Sequence, residues 1–237
     1  MNDRQRSSAV HELRAQGLAP KQIARRLGVR PAEVLAVLNP APGSSSPDKR
    51  APVVRCWVSS SWAKELQVHG HREWPGLDDD SAAPGGLACV LVARQHRHDK
   101  VSVCGYLIDV HCLGVKNALG PRVMDEVDLV AFRRYFFGAY DADPVLAPLE
   151  LAQQLVFGAV DYARALGFEP HADYAAVAGH LGEWTGGCDI EFGRDGMPFY
   201  VQGPYDDARR ILQTLDTSVG PGNYHFLMTA PPFAVGA

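Results

Sequence analysis

The sequence predicts an α+β protein: a small three-helix module at the front, followed by an antiparallel sheet packed with helices. Three observations predict it. The first forty residues carry helix-period segments punctuated by Gly17, Pro20, Gly28 and Pro31. A proline-, glycine- and serine-rich run then interrupts all periodicity. Beyond it, short apolar strands come first and long amphipathic helices follow, which is not the regular alternation of a doubly wound fold.

The chain has 237 residues, 46% apolar and 21% charged, enough for one sizeable core and a satellite module. These figures exclude a disordered polar chain, a collagen-like repeat and a disulfide-stapled mini-protein. No window approaches the ~18–20 consecutive apolar residues of a membrane span, and the polar start Met1–Arg4 has no apolar stretch behind it. Cys56, Cys89, Cys104, Cys112 and Cys188 are odd in number and include no CxxC pair, so they read as reduced, buried thiols. A cytoplasmic protein with no membrane partner is the expectation.

In the front module, Ser8 to Gln16 forms the first helix, Pro20 to Leu27 the second and Pro31 to about Leu38 the third. Ile23, Leu27, Val29, Val34 and Val37 supply a shared apolar interface; Ala24 is small where two helices cross, and Gly28 permits a tight turn. This spacing resembles the helix-turn-helix of bacterial DNA-binding proteins, in the form found in resolvases and in the promoter-reading region of sigma factors. The resemblance implies a third helix that reads base edges. Its outward positions, however, are Pro31, Ala32, Glu33, Leu35 and Ala36, with no amide side chain among them. Phosphate contact through Lys21, Arg25, Arg26 and Arg30 is the remaining route to DNA; a third helix turned towards protein is the other reading.

Charge supports the first. Up to Arg50 there are nine Lys or Arg against four acids, a balance of +5; with a total of −4, the remainder carries −9. Asn39 to Pro52 (NPAPGSSSPDKRAP) separates the two parts, because its prolines and free backbone build neither helix nor central strand. The domains are therefore a helix-turn-helix module at 1–39, a linker at 40–52 and an α+β domain at 53–237.

In that domain, Val53–Ser59, Leu87–Arg94 and Val101–Cys112 are apolar strands, the last two joined by the polar turn Gln95–Lys100. Pro75–Gly86 reads as an exposed acidic loop. Helices follow at Asp125–Ala139, Leu149–Leu166 and about Ala172–Leu181. Asp189–Phe192 and Pro198–Gln202 flank the turn GRDG as a hairpin, Asp206 caps a helix from Asp207, and Asn223–Met228 closes the domain as a strand. GYLIDVHCLGVKNAL at Gly105–Leu119 and FGRDGMPFYVQGPYDD at Phe192–Asp207 resemble segments of a bacterial family of unassigned activity, which implies no chemistry.

The densest polar constellation is Asp109, His111, Cys112, Lys116 and Asn117. Strand alternation places Asp109 and His111 on one face, where a carboxylate can orient an imidazole as a general base, and Cys112 on the other. The catalytic candidates are Asp109, His111 and Lys116; the bland reading makes the first two a solvated face and LGVK a turn. His69 with His71, and His96 with His98, form two HxH pairs, but Arg94, Arg97 and Lys100 surround the second and oppose a divalent cation. No HExxH or CxxC accompanies them, so no metal is expected, and with no GxxxxGK or complete GxGxxG no cofactor is expected either. Trp62 and Trp74, beside Lys64 and Arg72, could line a partner groove.

The reading that follows is a DNA-associated transcription regulator whose module is tethered to a ligand- or partner-binding α+β domain, leaning away from an enzyme. DNA is the expected partner, bound weakly by one module and more firmly by a homodimer. The alternatives are a nucleic-acid-directed hydrolase or nuclease with its site near Asp109, His111 and Lys116, and a protein-interaction component of a larger assembly.

Overall fold

The computed structural model describes residues 13, 20–29, 34, 51–140 and 142–228. The chain divides into two units, 1–50 and 51–237, and each is considered by itself. In the first, helix α1 (Pro20–Leu27) ends where Gly28 takes φ +66° and the Val29 amide donates to the Ala24 carbonyl at 3.0 Å. This is the hydrogen bond of a Schellman stop, and it needs a residue that tolerates the left-handed region. Ile23, Ala24 and Val34 are buried together, with Leu13, Leu27 and Val29 packed around them. The rest of the expected first and third helices, and the linker up to Arg50, lie outside the described residues.

The second unit is mixed α+β. Its strands are β1 (Val53–Val58), β2 (Gln67–Val68), β3 (Leu87–Gln95), β4 (Lys100–Asp109), β5 (Gly114–Asp125), β6 (Val145–Leu146), β7 (Ile190–Glu191), β8 (Phe199–Val201) and β9 (His225–Leu227). Its helices are α2 (Glu126–Phe136), α3 (Leu149–Ala165), α4 (Tyr174–Leu181) and α5 (Ala208–Ser218). The main sheet is antiparallel, in the order β5-β4-β3-β1-β6.

Both faces of that sheet are covered, which is why β3 reads as the unbroken run LACVLVA instead of an alternating one. Ala88, Val90 and Val92 of β3 and Cys104, Tyr106 and Ile108 of β4 meet Leu151, Leu155, Val156 and Ala159 of α3. Cys89, Leu91 and Ala93, with Val101 and Val103, form a second core on the opposite face with Leu129 of α2 and Phe137. A third core joins Cys112, Leu166, Tyr200, Ala208 and Leu215. No helix among the described residues is long and apolar enough to cross a membrane.

Several expectations are corrected. β4 stops at Asp109, not Cys112, because residues 110–113 turn back on the Asp109 carboxylate. Of LGVK only Leu113 belongs to the turn: Gly114 begins β5, a twelve-residue strand whose polar residues and Pro121 concealed it. β5 pairs with β4 alone, and an edge strand tolerates both. The hairpin expected around GRDG reduces to a bridge between Arg194 and Met197; β7 instead pairs with β2, and β8 runs parallel to β9. Pro75–Gly86 is folded against the preceding segment, Lys64 Nζ donating to the Ala83 carbonyl at 3.0 Å and Trp62 Nε1 to Pro75 at 2.8 Å. Four cysteines are buried, but Cys188 is exposed.

Candidate functional site

Asp109 and His111 do not line a solvated face: they are 5% and 2% exposed. Because the strand ends at Asp109, alternation no longer governs the two residues beyond it. Asp109 Oδ1 accepts from the backbone amides of His111 (3.0 Å) and Cys112 (2.9 Å), so the carboxylate organises the turn and not the imidazole. Burial raises its pKa to about 6, against the opposing pull of those amides and of Lys116.

The His111 ring goes elsewhere. Its Nε2 stands 3.7 Å from Glu65 Oε2, too far for a hydrogen bond, and has no hydrogen-bond partner. Glu65 is held by Arg194 at 2.6 Å, and the Arg194 guanidinium lies 5.0 Å over the Phe199 ring. Burial lowers the His111 pKa and Glu65 opposes it. A Cβ on Gly86 would come within 2.9 Å of His111 Nδ1, so the ring is roofed by backbone.

Lys116 points from β5 to Asp206, Nζ to Oδ2 at 3.0 Å and to Oδ1 at 3.2 Å. Asp206 was expected to cap a helix; its carboxylate instead also accepts from the Gly203 amide at 2.8 Å and the Tyr200 hydroxyl at 3.4 Å. Asp207 is the cap of α5, accepting from the Arg210 amide. The structure therefore brings Lys116 and Asp206 together beside the buried Asp109 and directs His111 to Glu65. Burial, aided by Asp109, pushes the Cys112 thiol well up, so it carries no thiolate near neutrality.

The histidine pairs also separate. His71 Nε2 stands 3.0 Å from Asp189 Oδ2 and its ring stacks on Trp74 at 4.0 Å, while His69 lies 3.7 Å from Glu191. Among the described residues no group of three or more His, Cys, Asp or Glu is placed to hold a metal ion. Trp62 and Trp74 line no groove; they are 1% and 3% exposed and pack edge to face.

The sequence reading missed a cavity of about 480 Å³ on the α2 side of the sheet, walled by Leu87, Cys89, Gly105, Leu107 and Leu119 of the strands, Phe136 of α2, Tyr140, and Ser61. A Cβ on Gly105 would meet the Phe136 ring at 2.6 Å, so the missing side chain lets that ring lie over the strand. A glycine inside the apolar run VSVCGYLID was the available signal.

Of the DNA-contact candidates, Arg25 and Arg26 are exposed in the last turn of α1. Lys21 also lies in α1, and Arg30 falls outside the described residues. No family model, no curated protein and no solved structure matches the chain.

Proposed function

We propose that this chain is a DNA-associated regulator: a basic helix-turn-helix module at 1–39, tethered by the linker at 40–52 to an α+β domain that takes up a ligand. The observation that carries the reading is the two-sidedness of α1. Ile23 and Ala24 are buried against Val34, while Arg25 and Arg26 stand exposed in the same turn. That is the arrangement a module needs to close its own small core and offer guanidinium groups to phosphate. The basic balance of the first fifty residues supports the same reading, and the acidic remainder keeps the larger domain off a polyanion. Useful affinity calls for two modules on two half-sites, so a homodimer formed through the larger domain belongs to the proposal.

Fluorescence anisotropy with duplex DNA at about 50 and 200 mM salt tests it. Affinity should fall steeply with salt. Arg25→Ala with Arg26→Ala, which removes two phosphate contacts from each module of the dimer, should weaken binding by at least roughly tenfold at the lower salt and reduce the log–log salt slope by about 3–4. Absence of binding at low salt, or an unchanged slope in the double variant, overturns the proposal.

A further inference from the structure

We infer that the cavity between α2 and the β3–β5 face of the sheet is the ligand site of the α+β domain, and that its ligand is a small, uncharged, largely apolar molecule carrying a hydrogen-bonding group. The inference deepens the ligand-binding half of the proposed function and rests on it; it is independent of DNA.

Size comes first. A volume of about 480 Å³ falls in the range of sites for small organic molecules. Charge comes second. Among the described residues that line it there is no Asp, Glu, Lys, Arg or His, so an ionic ligand would find none of their charges there to replace its hydration. Leu87, Leu107, Leu119 and Phe136 offer instead an apolar wall that favours ring or alkyl surface.

The polar groups supply the last restriction. The Tyr140 hydroxyl is engaged with the side chains of Ser59 and Cys89, and Ser59 Oγ also accepts from the Cys89 amide at 3.1 Å. Burial lifts the Cys89 thiol to about 11, so it is a neutral part of the wall. Asn117 of β5, opposite Leu107, is exposed and stands among the lining residues with an amide side chain that can both donate and accept. A ligand group that pairs with this amide replaces the hydrogen bond the amide gives up to water, and so fixes the ligand's orientation against the apolar wall.

The full chain titrated with two dyes tests this: N-phenyl-1-naphthylamine, which is neutral with one N–H, and 8-anilinonaphthalene-1-sulfonate, the same rings with a sulfonate. The neutral dye should saturate with one site per chain, and the sulfonate should bind at least tenfold more weakly. Ala139→Trp, at an exposed position on the rim, should weaken the neutral dye tenfold or more. Asn117→Ala should weaken it between about two- and tenfold, the worth of one neutral hydrogen bond. Melting temperatures within a few degrees of the parent show that both variants fold.

No saturation, equal binding of the two dyes, or indifference to Ala139→Trp overturns the inference. So does an apparent affinity that falls as protein concentration rises, because a second copy of the chain would then fill the cavity. The DNA titration, run on the same proteins, separates the two ideas. Failed dye binding with salt-sensitive DNA binding removes the cavity site alone. Saturable dye binding without DNA binding removes the DNA association alone.

Discussion

Replacing Asp109 by alanine should destabilise the protein by about 3 kcal/mol at pH 7, while replacing it by asparagine should leave it at least as stable as the parent. The two substitutions differ in what they leave behind. Alanine deprives the buried amides of His111 and Cys112 of their shared acceptor, and each unpaired buried donor costs about 1–3 kcal/mol. Asparagine keeps an oxygen where Oδ1 stands and removes only the charge. That charge is a burden in the folded state, since burial lifts the carboxyl from 3.8 to about 6. A raised carboxyl pKa means that the folded protein holds its proton at a pH where the unfolded chain has released it. The resulting stabilisation is complete below about 4 and lost as pH rises through about 6. A shift of this size corresponds to about 3 kcal/mol as an order of magnitude. The difference between parent and Asp109→Asn should therefore move in favour of the parent as pH falls from 6 to 4. Urea denaturation at several pH values measures all of this. Asp109→Ala costing under about 1 kcal/mol, or Asp109→Asn as damaging as alanine at pH 7, would show that the carboxylate serves something other than the turn.

Gly114→Ala should cost about 3 kcal/mol as well, for a different reason. Gly114 has φ +67°, and a Cβ there would lie 2.8 Å from the Ala159 carbonyl oxygen and 2.7 Å from the Ala163 Cβ. The substitution therefore strains the backbone and drives β5 away from α3 at once. Because β5 carries Lys116, its ion pair with Asp206 should loosen too. Ala163→Gly added to Gly114→Ala should restore less than half of the loss, since it relieves one contact and leaves the carbonyl and the positive φ untouched. Urea denaturation of the single and double variants checks both statements; a Gly114→Ala protein within about 0.5 kcal/mol of the parent would contradict the geometry.

The hydrolase alternative put forward from Asp109, His111 and Lys116 shows how a cluster dense in sequence disperses in space. Neighbours in the chain need not share a face once the strand ends between them. Asp109 turned inward to the backbone, His111 towards Glu65 and Lys116 towards Asp206, a residue ninety positions away. Asp206 was legible as a cap only because short-range rules favour the nearest helix; the longer-range cation won it.

What the amino-acid order alone determined is the part governed by local physics: an α+β composition with strands preceding helices, the apolar runs of β1, β3 and β4, the long stripe of α3, and the glycine stop of α1. Apolar periodicity and the conformational limits of glycine and proline act over a few residues, so they can be read along the chain. The tertiary structure decided the rest: that β5 is a strand, that Trp62 and Trp74 are core, that Asp109 is buried, and that a cavity lies beside the Phe136 ring where it covers Gly105. Each of these depends on which distant segment arrives alongside, and burial, pairing and empty volume are properties of that arrival and not of any one stretch of sequence.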